Sequence, residues 1–279
     1  MKWQGRRGSR NIQDRRGMPG GRAGAGGLGL ILVVVVGAFL GLDLTPLMQG
    51  GGVGTAPEPT GPNSIDDRTE EFVSVVLADT EEVWGDVFQN SGLSYAEPTL
   101  VLYSGVTSSA CGTANAAVGP FYCPNDQRIF LDTDFFRVME QRLGAGGDFA
   151  YAYVIAHEVA HHVQNQLGIL GEVNQQRARL PQAQANELSV RIELQADCYS
   201  GIWAREAQER FGSLERGDID EALNAAAQIG DDALQKASQG YVVPDSFTHG
   251  SSEQRQRWFY TGYETGDPQQ CDTFGTNRL

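Results

Sequence analysis

The chain has 279 residues, 41% apolar and 20% charged, which suffices for a packed domain and excludes a disordered chain. Its formal charge is −14, and seven basic residues against Asp14 put +6 on the first 22 residues, so the rest carries −20. A body that acidic repels phosphate backbones, which argues against nucleic acid as a partner.

After the basic head, residues 1–22, come twenty residues without a charge, 23–42, centred on "LGLILVVVVGAFLGL". Helical residues rise 1.5 Å each, so about twenty span the ~30 Å hydrocarbon layer and a single transmembrane helix is expected. A cleaved secretory signal shares the basic head and apolar middle, but the following "DLTPLMQ" offers no small-x-small cleavage site. The positive-inside tendency places the head in the cytoplasm and the acidic body outside, as a single-pass protein of the cell membrane. Residues 43–65, which hold "GGGVGTAPEPTGPNS", read as a flexible tether, and the domain as 66–279.

Within the domain, Phe72, Val76, Val83 and Val87 keep apolar groups on one side of a first helix. "TLVLYSG" (99–105) and "RIFLD" (128–132) have strand composition. They flank a loop with Cys111 and Cys123, and Cys198 and Cys271 lie far apart. Four cysteines in an exported domain favour disulfides. Of three connectivities, Cys111–Cys123 with Cys198–Cys271 closes a short local loop and ties the tail to a long helix. With Asp148 as its cap, a helix is expected over "FAYAYVIAHEVAHHVQNQLG" as far as Gly168. Further helices are predicted over 184–208, over 219–237, and from Ser251, whose spacing to Gln254 is that of a capping box. The fold class expected is helix-rich α+β with a small sheet.

Three of the four histidines fall within "HEVAHH". Residues four apart share a helix face, so His157 and His161 can hold one metal ion together. Glu158 is rotated by about 100°, beside the metal and available to a water as general base. His162 falls off that face and reads as a supporting residue. Two buried imidazoles and a carboxylate are costly without a partner, which favours Zn2+ over ordinary core histidines.

A catalytic zinc takes three protein ligands and leaves the fourth position to water. In "RIELQADC", Glu193 and Asp197 share a face among Ile192, Leu194, Ala196, Ile202 and Trp203. Glu193 is read as third ligand, with Asp197 accepting the N–H of a ligand histidine. The competing reading is a surface pair with Arg191. His249, just before a helix start, is either an oxyanion donor or a loop anchor.

"HEVAHHVQ", "VRIELQADCYSGIWA", "GPFYCPNDQRIFLD", "FTHGSSEQRQRWFYTGY", "GDPQQCDTF" and "MKWQGRRGSRNIQDRRG" together resemble the bacterial neutral zinc metallopeptidase family. The resemblance covers most of the chain apart from the tether. It implies a membrane-anchored, zincin-like domain and supports the roles given to Glu193 and Asp197. The expected function is a zinc-dependent endopeptidase acting on peptide or protein substrates, with Glu158 as base and "RIFLD" binding substrate by edge pairing. The alternative is a zinc-stabilised binding or regulatory protein without turnover. Glu158 separates the two, because a metal site alone needs no carboxylate there.

Overall fold

A computed structural model describes residues 1–16, 67–115 and 119–279. The expected transmembrane helix and tether, 23–42 and 43–65, lie outside them. Among the described residues no helix is long and apolar enough to cross a membrane.

The fold is helix-rich α+β. Four strands run in the order β1 (Ile12–Asp14), β2 (Thr99–Tyr103), β6 (Arg128–Asp132), β5 (Phe121–Cys123), and a hairpin of β3 (Val106–Ser109) and β4 (Gly112–Asn115) stands apart. The sheet is parallel from β1 to β6 and antiparallel at β5. β2 and β6, both anticipated, are nearly all buried, as the "LVLY" and "IFLD" runs require. Because β6 is paired on both sides, "RIFLD" has no edge for a substrate, and that expectation is corrected.

Residues 1–16 are not a separate head. β1 lies parallel to β2, pairing Ile12 with Leu100 and Asp14 with Leu102. Trp3 is buried 5.4 Å from the Phe72 ring, and Arg6 makes a bidentate pair with Asp79 at 2.8 and 2.7 Å. The basic residues counted as a membrane signal are in part consumed by acids of the domain. Its boundary at 66 therefore excludes a strand that belongs to it.

Among the described residues the α-helices are α1 (Arg68–Asn90), α2 (Thr133–Arg142), α3 (Asp148–Gln166), α4 (Ile169–Arg177), α5 (Gln182–Phe211), α6 (Asp218–Gln228), α7 (Asp231–Gln239) and α8 (Ser252–Thr265). α3 is buried along nearly its whole length and packs against α1, α5 and α6. Gly147, not Asp148, caps it, and the Asp148 carboxylate instead accepts from the Met1 ammonium at 2.6 Å and Trp3 Nε1 at 3.2 Å. α8 begins with the full capping box of Ser251 and Gln254. The single helix expected over 219–237 is two. Gly230 lies so close to the start of α8 that a Cβ there would sit 2.5 Å from Ser252 N, and the chain breaks to let α8 in.

α5 and α8 make the closest contact. A Cβ on Gly201 would lie 2.0 Å from Phe259 O, and one on Gly262 would lie 1.8 Å from Cys198 O. The two helices can meet only because both positions lack a side chain. Both expected disulfides are present: Cys111–Cys123 ties β5 to the hairpin, and Cys198–Cys271 ties the tail to α5.

Burial pushes the Asp79 carboxyl up to about 6 in spite of Arg6. A raised folded-state pKa favours folding below the unfolded value near 4, and that contribution is lost as pH climbs through 6. Arg6→Ala should cost about 3 kcal/mol at pH 8, where an unpaired buried carboxylate remains, and clearly less at pH 5. Urea unfolding at the two pH values checks this. Equal losses at both would show that Asp79 keeps its charge without Arg6.

Candidate metal centre

α3 and α5 lie side by side and present one site between them. His157 and His161, one turn apart on α3, have ring centroids 4.7 Å apart at 86°. Glu193 of α5 faces both: its Oε2 lies 3.0 Å from His157 Nε2, and its Oε1 lies 3.6 Å from His161 Nε2. One ligand atom from each of the three falls within 4.8 Å of the others. Zinc bonds of about 2.0–2.1 Å in a tetrahedron put neighbouring ligand atoms ~3.3 Å apart, so the observed spacing suits that ion.

The outer nitrogens settle which atoms face inward. His157 Nδ1–H donates to Asp197 Oδ1 at 2.9 Å, and His161 Nδ1–H donates to Gln164 Oε1 at 2.8 Å. In the neutral imidazoles both Nε2 atoms would then turn lone pairs toward the Glu193 carboxylate. A lone pair 3.0 Å from a carboxylate oxygen is repulsive unless a cation or a proton lies between them. Burial would lower the His157 pKa, but Asp197 and Glu193 outweigh it and push the imidazole up to about 10, so this point favours positive charge, a proton on Nε2 or a metal ion in its place. The donor set of two imidazoles and a carboxylate fits zinc.

Asp197 is wholly buried and ties α3, α5 and α8 together. Besides His157 it accepts from Tyr153 Oη at 2.5 Å and from Arg255 Nε and Nη2, both at 2.9 Å. Arg255, 3% exposed, also donates to Ile229 O at 3.3 Å. Burial disfavours the charge on Asp197, yet Arg255 and His157 hold its carboxyl below the usual range. Glu193 and Asp197 are thus not a surface pair, and Arg191 turns away to the carbonyls of Thr273 and Thr276.

Glu158 is buried beside this group, close enough to feel the charges of His157, His161 and Glu193. Burial pushes its carboxyl up, which suits a group that must take a proton and give it back. His249 precedes α8, and it and Glu193 each influence the other's ionisation. Its loop is fastened through the backbone: Thr248, His249 and Gly250 N–H all donate to Asp231 Oδ2, at 2.7, 2.7 and 3.0 Å. The imidazole, 43% exposed, also meets this loop, with Nδ1 3.0 Å from Thr248 Oγ1 and 3.4 Å from Asp231 Oδ1, so the anchor and oxyanion-donor readings both stand. His162 points elsewhere, bonding Tyr122 Oη at 3.0 Å and Ala96 O at 2.6 Å, and supports the β5 side of α3.

The sequence profile described as "Putative neutral zinc metallopeptidase" matches residues 1–274. The chain belongs to that family. The Escherichia coli K12 protein YpfJ, described as uncharacterised, is 50% identical over 285 residues and 99% of each chain. Rv2575 of Mycobacterium tuberculosis H37Rv, described likewise, is 48% identical over 195 residues, 66% of this chain and 65% of its own. No solved structure matches the chain. Membership of a zinc metallopeptidase family agrees with the donor set between α3 and α5.

Sequence reasoning missed Arg255, Tyr153 and Gln164. Arg255 was accessible: with Trp258, Phe259 and Gly262 it continues the i, i+3, i+4, i+7 stripe that α8 buries. Gln164 also donates to Ile192 O at 2.8 Å and Gln195 Oε1 at 3.0 Å, a bridge that no spacing along the chain announces.

The purified protein should hold one zinc per chain, and the His157→Ala/His161→Ala double variant none. Gln164→Ala should weaken zinc by about 10- to 100-fold while leaving it stoichiometric at saturation, as for other groups that orient a ligand histidine. Metal analysis and competition with a chelator read both outcomes. Unchanged affinity in Gln164→Ala would remove its orienting role.

Proposed function

We propose that the protein is a zinc-dependent endopeptidase that uses Glu158 as general base. The observation that carries this reading is the Glu158 carboxylate, buried against the His157, His161 and Glu193 group and raised in pKa. A zinc ion bound by those three residues supplies Lewis acidity to a water and to a peptide carbonyl. The work of this chain's own side chains is proton transfer and orientation. Glu158 takes the proton of the attacking water and delivers it to the leaving amine. Asp197 and Gln164 keep both imidazoles in the tautomer that turns Nε2 inward. His249, protonated or neutral, donates to the carbonyl oxygen as negative charge develops there.

Two features support a peptide as substrate. Among the described residues β5 is paired only to β6, so its outer side is one of the sheet's two edges, where an extended chain can add. A groove of 570 Å³ also opens beside α5, walled by Val190, Pro244, Phe247 and Arg257, with Val190 one turn before Glu193. The uncharged run at 23–42 supports association with the cell membrane.

Glu158→Gln should keep its zinc and its fold and lose turnover, with peptide termini compared across a whole proteome between the two proteins. Identical termini with zinc in place would favour the alternative, a zinc-stabilised binding or regulatory protein. His249→Phe should leave zinc content and melting temperature nearly unchanged and lower kcat by about 10²–10³-fold with little change in KM. Full turnover in that variant would remove His249 from the reaction.

A further inference from the structure

We propose that residues 1–16 and residues 67–279 lie on the same side of the membrane. The two parts form one packed body. Leu100 N–H donates to Asn11 O and Arg15 N–H to Leu102 O, both at 2.8 Å, which continues the β1–β2 ladder on either side. Met1, Trp3 and Ile12 are 6%, 6% and 5% exposed, and all three belong to the main core cluster.

Charge makes the association obligatory. Asp79, with 4% of its side chain exposed, has Arg6 as its ion-pair partner. Glu81, also buried, accepts from Ser9 Oγ at 2.5 Å and Asn11 Nδ2 at 2.8 Å. Asp148 and Asp218 share the Met1 ammonium, at 2.6 and 3.4 Å. With the first 16 residues across a hydrocarbon layer of ~30 Å, the buried carboxylates of Asp79, Glu81 and Asp218 would lose these partners.

The points of departure and return coincide. Arg16 Nη1 lies 2.5 Å from Asp67 Oδ2, and Arg16 Nη2 lies 2.9 Å from Glu70 Oε2. The chain therefore leaves the domain and re-enters it at one place. Its uncharged stretch of twenty residues is long enough for one helical crossing and too short for two. One crossing and a docked N-terminal strand are mutually exclusive, and the contacts above decide for the strand. A cytoplasmic head with an outward body is thereby replaced.

The test places one added cysteine at a time in the full chain, Arg10→Cys or Lys236→Cys, both at exposed positions. Gln4→Cys, also exposed, replaces Arg10→Cys if that variant fails to accumulate. Each is treated with a membrane-impermeant maleimide in intact spheroplasts and again after lysis. The expected result is the same pattern at both positions, labelled before lysis at both or only after it at both. Labelling at one position before lysis and at the other only after it would overturn the proposal. A photoreactive benzophenone side chain at Trp3 provides the second readout. Its crosslink to the peptide containing Phe72 is expected in the membrane-bound protein, and its absence there would equally overturn the docked strand.

Discussion

The structure depends on a single buried carboxylate. Asp197 has no exposed surface and still carries its charge, because an arginine, a tyrosine and a histidine from two other helices converge on it. An ionised group in that setting is tolerated only while every partner stays in place. The placement of α3, α5 and α8 is consequently one decision rather than three. Gly201 and Gly262 let α8 come near enough for Arg255 to reach, and the break at Gly230 clears room for the start of α8. The disulfide from Cys198 ties the residue next to Asp197 to the tail.

The same interaction prepares the metal centre. A histidine is useful as a ligand when its outer nitrogen is held, since rotation and the choice of tautomer are then settled before the ion arrives. Asp197 does this for His157 with a charge, and Gln164 does it for His161 with a neutral amide. Glu158 stands outside both arrangements. Its burial outweighs the charges of His161 and His157 and pushes the carboxyl up, which keeps it basic enough to take part in proton transfer. Stability and chemistry thus draw on neighbouring carboxylates in opposite states, one stabilised as an anion and one made reluctant to be one.

Much of this was legible along the chain wherever the determining interactions are local. The pairing of His157 with His161, the face shared by Glu193 and Asp197, and the capping box at Ser251 all follow from helical periodicity over three or four residues. β2 and β6 are short apolar runs that admit few other conformations. What escaped depends on contacts between distant segments. Nothing near Arg6 reveals that Asp79 awaits it, so the head's charge was read as a membrane signal. Nothing near Gly230 reveals the approach of Ser252, so a broken helix was read as continuous. Arg255 lies between these cases, because its helix face was readable and its partner was not.

The location of β1 carries a consequence for the order of events during synthesis. Residues 1–16 emerge before the rest of the domain, but their partners stretch from Asp67 to Asp218, with the Met1 ammonium joined to a side chain 217 residues downstream. At ~5–20 residues per second, the earliest-made strand waits roughly 10–40 s for the last of these partners to leave the ribosome. Closing so long a loop is also the slow kind of contact formation. Until β2 emerges the peptide is an unpaired strand, the state most open to capture by a chaperone or a lipid surface. Residues 1–16 are therefore made before the partners that fix them and become native only once those partners have emerged.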